Sequence, residues 1–86
     1  MTVRYHPRAA KVLALLGREQ PKLMASISRK LEQADERKNF NELDVKKLEG
    51  TRDMYRLRVG GYRVEFMLVG DDVFVRYIDK RGQLYK

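Results

Sequence analysis

The chain has no cysteine and no long apolar run, and both absences limit what it can be. Without cysteine it forms no disulfide bond, no thiolate nucleophile and no cysteine-ligated zinc site, which fits a cytoplasmic protein. No apolar stretch approaches the roughly 20 residues that cross a membrane. The start, MTVRYHPRAAKV, has charges and a proline where a signal peptide has its apolar core. We therefore expect a cytoplasmic protein without export or membrane attachment.

Familiar catalytic and cofactor-binding patterns are missing as well. The sequence has no HExxH, GxGxxG or Walker motif and no Ser-His-Asp arrangement. Its single histidine, His6, has no ligand-type residue near it, so we expect a structural role for it. We expect no metal ion and no other cofactor.

Positive charge is in excess. The 86 residues include 19 lysines and arginines and 12 acidic residues, which gives a formal net charge of +7. Such an excess creates a positive potential that attracts polyanions. Solubility alone is also a sufficient reason for the charge, so the position of the basic residues decides between the two interpretations.

The first half of the chain predicts a short edge strand, TVRY, and two helices. The first helix follows Pro7 and ends at Gly17, while the second opens at Pro21. The short link REQ predicts that the two helices form an antiparallel hairpin. The apolar residues repeat with a helical period, at Ala9, Val12, Leu13 and Leu16 in the first helix and at Leu23, Ile27, Leu31 and Ala34 in the second.

The second half predicts a loop and three strands. The loop, residues 38–44, has Phe40 and Leu43 as anchors, and KKLEG leads from it into the sheet. The strands are expected at about residues 53–59, 62–69 and 72–78. The fold class is therefore α+β, with residues 1–86 as a single domain: an N-terminal strand, a two-helix antiparallel hairpin and a three-stranded antiparallel meander.

Two turns set the register of the meander. Gly60-Gly61 is a two-residue turn of the type that accepts positive φ at both central positions, and it places Arg58 opposite Arg63. A second turn at Gly70-Asp71 would put Arg76 beside Glu65. One face then carries the apolar residues Tyr55, Leu57, Val59, Tyr62, Val64, Phe66, Leu68, Val73, Val75 and Tyr77. The opposite face carries Arg56, Arg58, Arg63, Glu65, Arg76 and Lys80, and its far end is apolar, with Met54, Met67 and Phe74.

The opposed pair Arg58 and Arg63 is the unusual feature, because like charges across a sheet are destabilising. A charged, solvated sheet face is ordinary, but this one gathers four arginines and one carboxylate. Guanidinium groups donate two parallel hydrogen bonds to phosphate and stay charged in a partly dry site. We interpret the face as a phosphate-binding surface, with an anion between the two arginines.

The C-terminal DKRGQLYK extends this interpretation. Tyr85 follows Arg81 by four residues, so one turn could bring its ring beside the arginines. An aromatic ring next to guanidinium groups is a common way to hold an unstacked nucleotide. Spacing alone, however, favours a terminal tyrosine that caps the core.

The chain resembles the RelE/ParE superfamily of small bacterial and archaeal toxins, and in particular its RelE side. The resemblance lies in VKKLEG, YRLRVGGYRVEF and DKRGQLY, and in the strand, two-helix, three-strand layout. It implies a RelE-like microbial RNase fold and a ribosome-dependent endoribonuclease that cleaves mRNA in the A site without a metal. The partners that it implies are the ribosome, mRNA and a cognate antitoxin that neutralises the toxin.

The resemblance also implies roles for individual residues. The 2′-hydroxyl would attack the adjacent phosphate and leave a 2′,3′-cyclic phosphate. The catalytic set is Arg56, Arg58, Arg63, Arg81 and Tyr85. We further expect RNA binding by Lys46, Lys47, Arg76 and Lys80.

The chain departs from well-studied members at several of these positions. Those members have lysine or histidine in place of Arg56 and Arg58, and many have Gly-His-Arg where this chain has Asp-Lys-Arg, residues 79–81. Arginine does not lose a proton near neutral pH, so the general base stays unassigned among Tyr85, Lys80 and Glu65. Two alternatives therefore stay open: a ParE-like inhibitor of DNA gyrase, and a relative that only binds its antitoxin.

Overall fold

The computed structural model describes residues 2–34 and 43–80, which form two helices and a five-stranded mixed sheet. The elements are β1 (Val3–Tyr5), α1 (Pro7–Glu19), α2 (Pro21–Ala34), β2 (Val45–Lys47), β3 (Met54–Val59), β4 (Tyr62–Val69) and β5 (Asp72–Lys80). The strand order is β1-β5-β4-β3-β2, with β1 parallel to β5 and every other pair antiparallel. The α+β class with an N-terminal strand, a helical hairpin and a meander is confirmed.

Helix α1 begins as expected but ends later. The Nδ1 atom of His6 accepts a hydrogen bond from the Arg8 amide at 3.2 Å, so the single histidine caps the helix. The helix continues through Gly17 to Glu19, so the prediction that it ends at this glycine was wrong. A Cβ at Gly17 would lie 3.4 Å from the Cε atom of Met24, an ordinary van der Waals distance, so α2 packs directly beside this glycine.

The core lies between the helical hairpin and one face of the sheet. The stripe predicted on α2 is buried there, with Ile27, Leu31 and Ala34 inaccessible to solvent. Apolar strand residues meet it from β3, β4 and β5, and the fully buried ones are Leu57, Val64, Phe66, Val73 and Val75. Burying this apolar surface is the main favourable contribution to folding in such a small chain.

The β3–β4 hairpin has the predicted register at all six pairs, including Arg58 opposite Arg63. Of the two turn residues only Gly60, at the first central position, has a positive φ, 53°. This is the φ pattern of a type II′ turn, so the expectation of positive φ at both positions was wrong, while the register that the turn imposes is confirmed. The backbone here is also close to α2, because a Cβ at Gly60 would lie 3.1 Å from Leu23 Cδ1.

The β4–β5 register follows the prediction only as far as Phe66, which pairs with Val75. A β-bulge then places Tyr77, in place of Arg76, opposite Glu65. One extra residue exchanges the faces of everything that follows it. Consequently Ile78 is buried in the core, while Tyr77 is exposed, so the prediction of Tyr77 on the apolar face was wrong.

Two basic residues lie elsewhere than predicted for the same reason. Arg76 is exposed within the bulge, and not beside Glu65. Lys80 pairs with Tyr62 and so belongs to the helix-covered side of the sheet, not to the face that carries the arginines.

A fifth strand, β2, forms where only a lead-in to the sheet was expected. Val45 is buried and pairs with Leu57, and the two lysines that follow continue the antiparallel ladder. Asp44, just before it, has φ 59°, a conformation that aspartate tolerates better than most residues other than glycine. Leu43 is buried as expected for an anchor, whereas Phe40 lies outside the described residues.

A cleft of about 550 Å³ opens between β1 and the helices, lined by Thr2, Val3, Tyr5, Leu13, Ser28 and Glu32. Burial raises the pKa of the Tyr5 hydroxyl above its ordinary value; the negative charge of Glu32 adds to this, and a hydrogen bond with Ser28 opposes it. The folded chain therefore favours the neutral phenol.

Gly60→Ala should lower the free energy of unfolding by about 1–2 kcal/mol, because the substitution forces a Cβ into a left-handed conformation and against Leu23. The matched control is Gly61→Ala, where no atom lies within 4 Å of the new Cβ and φ is not positive. Urea denaturation of both variants measures the difference. Equal destabilisation by the two substitutions would contradict the turn geometry.

Tyr5 should make stability pH-dependent at the alkaline end. The unfolded chain loses the Tyr5 proton at a lower pH than the folded chain, so this contribution is present below pH about 10 and is lost as pH rises further. Tyr5→Phe should flatten that decline, although the lost hydrogen bond lowers stability at neutral pH. Chemical denaturation at pH 8 and at about pH 10.5 compares the two chains, and parallel declines would refute the prediction.

Candidate nucleic-acid interface

Two rows of polar side chains cross the sheet face that the helices leave open. The first row runs over β2, β3, β4 and β5, and its members are Lys46, Arg56, Glu65 and Tyr77. The second row is formed by Asp44, Arg58, Arg63 and Asp79, with the Arg58 amide donating to the Asp44 carbonyl at 3.3 Å. We call Arg56, Arg58 and Arg63, with the carboxylates of Asp44 and Glu65, the arginine face.

Carboxylates balance the opposed arginines. Asp44 lies between two guanidinium groups, with Oδ2 at 3.3 Å from Arg58 Nε and Oδ1 at 3.7 Å from Arg56 Nη1. Glu65 Oε2 lies 3.0 Å from Arg63 Nε. The repulsion between Arg58 and Arg63 is therefore offset within the chain, and folding does not require an external anion between them.

The arginine face is less basic than the sequence predicted. Asp44 enters it from the turn before β2, and the bulge brings Asp79 opposite Arg63. The carboxylate of Asp79 accepts a hydrogen bond from the Lys80 amide at 2.8 Å. The expected single carboxylate is thus joined by two others. An incoming phosphate would have to compete with them for the guanidinium groups.

The three arginines differ in how far their side chains are exposed to solvent. The Arg56 side chain is 10% exposed and the Arg63 side chain 14%, whereas the Arg58 side chain is 33% exposed. Arg58 is therefore the guanidinium that a ligand reaches first. Arg56 and Arg63 lie deeper, where a lower effective dielectric strengthens their field at the surface.

The chemistry available here is electrostatic. Guanidinium groups can stabilise negative charge that develops on a phosphate, and they keep their protons near neutral pH. Proton transfer falls to other groups, and Glu65 and Asp44 supply carboxylates on this face. Asp44 was not predicted as a site residue; its local signal in the sequence is an aspartate, a residue that tolerates positive φ, directly before Val45.

The structure brings together only part of the predicted site. Lys46 lies on the arginine face opposite Arg56, but Lys47 pairs with Tyr55 and so belongs to the other side of the sheet. Arg81 and Tyr85 lie outside the described residues.

An apolar row borders the arginine face as predicted. Met54 pairs with Met67, which pairs with Phe74. The apolar row ends there, because the next partner, on β1, is Arg4. The three apolar side chains are partly exposed. A ligand on the arginine face would therefore meet an apolar border along β3, β4 and β5.

Metal ligation and membrane insertion find no support in the residues that the structure describes. Within residues 2–34 and 43–80, no three histidine, cysteine, aspartate or glutamate side chains gather to hold a metal ion. Neither α1 nor α2 is long and apolar enough to cross a membrane.

Comparison with known proteins finds similar sequences and similar structures from one group of proteins. No protein-family model matches the sequence. Two curated proteins of Methanocaldococcus jannaschii match 47 residues with 36% and 38% identity, and the second is named toxin RelE3. These matches cover 52% and 55% of this chain, and the chain spans about half the length of the two relatives, 52% and 53%.

Solved structures match over nearly the whole chain. A chain of the RelE-RelB complex from Pyrococcus horikoshii OT3 is 32% identical, with 95% of this chain and 96% of that chain covered and a TM-score of 0.65. A RelB-RelE antitoxin-toxin complex from Methanococcus jannaschii matches with 24% identity over 95% and 94% of the two chains, TM-score 0.69. The YoeB-YefM complex from Staphylococcus aureus, 13% identical over 92% and 94%, has a TM-score of 0.79. The last two show the fold alone.

Glu65→Gln should lower the free energy of unfolding by about 1–3 kcal/mol, because the largely buried Arg63 guanidinium loses the charge at 3.0 Å. Asp71→Asn removes the same charge from an exposed turn position and should change stability by less than about 0.5 kcal/mol. Thermal and urea denaturation measure both. If Glu65→Gln were as mild as Asp71→Asn, the ion pair would have no structural role.

Proposed function

This chain belongs to the RelE family of toxins, and we propose that it is the toxin of a toxin–antitoxin pair that cleaves mRNA in the A site of the ribosome. The observation that carries the proposal is the arginine face: three guanidinium groups gathered on the side of the sheet opposite the helices. Arginine clusters of this kind suit the phosphate backbone of RNA.

The reaction that fits these groups is an internal transesterification. The ribose 2′-oxygen attacks the adjacent phosphorus, the bond to the 5′-oxygen breaks, and the products are a 2′,3′-cyclic phosphate and a 5′-hydroxyl. Negative charge builds on the phosphate oxygens in the transition state. Arg58, the most accessible of the three, would contact those oxygens, and the deeper Arg56 and Arg63 would add to the positive field.

Proton transfer needs a group other than arginine. Glu65 stays a candidate because its carboxylate lies on the arginine face, and Asp44 joins it on the same geometric ground. Lys80 becomes a poor candidate, since its register places it on the other side of the sheet. Tyr85 and Arg81 keep the roles that the family resemblance implies, as part of this proposal.

A cognate antitoxin is the proposed protein partner. Structures with this fold include complexes described as antitoxin-toxin and YoeB-YefM pairs. An acidic, amphipathic segment would complement both the arginines and the bordering apolar row of Met54, Met67 and Phe74.

One observation favours a second candidate function. Both ion-paired carboxylates already contact the three arginines, which lowers the attraction of this face for phosphate. A family member that binds its antitoxin and cleaves little or no mRNA would tolerate such an arrangement.

Arg58→Gln should lower the rate of A-site cleavage by about 100-fold, as loss of one donor to a developing oxyanion does elsewhere. The assay is primer extension on mRNA from purified translating ribosomes incubated with antitoxin-free protein. Because Arg58 is partly exposed, its substitution should leave the melting temperature within a few degrees of the parent chain.

Arg29→Gln is the matched control, because it removes the same charge from an exposed position on α2. It should cleave as the parent chain does. Equal cleavage by Arg58→Gln and Arg29→Gln would reject a role for the arginine face. Intact mRNA with the folded parent chain would favour the antitoxin-binding candidate.

A further inference from the structure

The bulge in β5 leaves an aromatic ring in solvent beside the arginine face. Tyr77 is 41% exposed although it lies within a strand, and its register partner on β4 is Glu65. Ile78 occupies the core position that the regular alternation would have given to Tyr77. A tyrosine in such a place forgoes much of the stabilisation that burial of its ring would supply.

One arginine contacts this ring and a second lines the cavity next to it. The guanidinium carbon of Arg76 lies 5.6 Å from the centre of the Tyr77 ring, within the range of a cation–π contact. Arg8, near the start of α1, lines a cavity of about 260 Å³ together with His6, Arg76 and Tyr77. None of these four lining residues is acidic, in contrast to the arginine face.

A second cavity shares two lining residues with the first. It measures about 350 Å³ and is also lined by Arg8 and Tyr77, with Ala9, Val12, Ile78 and Asp79 completing it. Tyr77 therefore lines two hollows, one basic and one largely apolar. Their combined volume falls within the range of ordinary small-ligand pockets, roughly 300–1000 Å³.

We propose that Tyr77, Arg76 and Arg8 form a nucleotide subsite, in which a base of single-stranded RNA stacks on the tyrosine and the arginines bind the adjoining phosphate. Stacking on an exposed aromatic ring with flanking cations is how unpaired bases are held without sequence preference. The inference rests on the proposed function, because it supplies a binding site for a nucleotide next to the one that is cleaved.

The position of the subsite fits that role. Tyr77 on β5 is one strand from Glu65 on β4 and two strands from Arg56 on β3. With neighbouring strands about 5 Å apart, the backbones that carry the subsite and the arginine face lie roughly 5–10 Å apart. A single RNA strand can therefore contact both at once.

Binding of a fluorescent six-nucleotide RNA with 2′-O-methyl riboses tests the subsite, because this probe lacks the attacking hydroxyl. Tyr77→Leu should weaken binding by about 5- to 150-fold, the range found for loss of one stacked base, whereas Tyr77→Phe should stay within about twofold of the parent chain. Circular dichroism confirms that both variants are folded. Equal binding by Tyr77→Leu and the parent chain would overturn the inference.

The arginines are tested with a pair of variants on one helix. Arg8→Gln should lower the slope of log affinity against log salt concentration by about 0.7, the value for one phosphate contact on a single strand. Arg18→Gln removes the same charge at the other end of α1, about 15 Å away along the helix axis, and should leave the slope unchanged. If Arg8→Gln and Arg18→Gln changed the slope equally, Arg8 would contribute only to the overall charge of the protein, and this result would overturn the subsite.

The cleavage assay separates this inference from the proposed function. If the subsite and the function both hold, Tyr77→Leu raises KM for ribosome-bound mRNA more than it lowers kcat. Cleavage with unchanged KM and unchanged probe affinity in Tyr77→Leu would overturn the subsite and leave the function standing. Tyr77-dependent binding of the probe by a chain that leaves mRNA intact would support the subsite and count against the function.

Discussion

The opposition of Arg58 and Arg63 across β3 and β4 is the constraint on which the rest of the site depends. The strands bring the two side chains together because the turn at Gly60 allows no other register without reversing the faces of the sheet. The chain tolerates the resulting repulsion because Asp44 places a carboxylate beside Arg58, and also near Arg56, while Glu65 places one beside Arg63. Asp44 does so from a left-handed backbone conformation.

This balance also suggests how the face could bind RNA. A carboxylate and a phosphate oxygen make the same kind of charge-assisted hydrogen bond to guanidinium. If a phosphate group of the RNA took the place of the Asp44 carboxylate beside Arg58, Arg58 would still be ion-paired. The replacement would therefore avoid the cost of an isolated charge on Arg58. The arginines are thus stable without a ligand and still suited to one. Tyr77 and its arginines offer a neighbouring site, and its basic hollow is lined by His6, Arg8, Arg76 and Tyr77, with no acidic residue among those that the structure describes.

Local patterns predicted most of the fold. The helical stripe of Ile27, Leu31 and Ala34 and the six pairs of the β3–β4 hairpin follow from residue periodicity and one turn. The bulge could not be predicted, because alternation fits Tyr77 as a core residue as well as Ile78 until tertiary packing selects the isoleucine. Strand β2 is three residues long, too short for alternation to reveal, and so the contribution of Asp44 to the site was missed. Arg81 and Tyr85 lie outside the described residues.

Nuclear magnetic resonance of the arginine side chains tests the central claim most directly. In a uniformly ¹⁵N-labelled chain, the Nε–Hε signals can be assigned by single substitutions and followed while 2′-O-methyl RNA is added. The signals of Arg58 and Arg63 should shift with increasing RNA, and the signal of Arg29 on α2 should not. Saturable RNA binding that leaves Arg58 and Arg63 unchanged would contradict the assignment of the arginine face as the phosphate site.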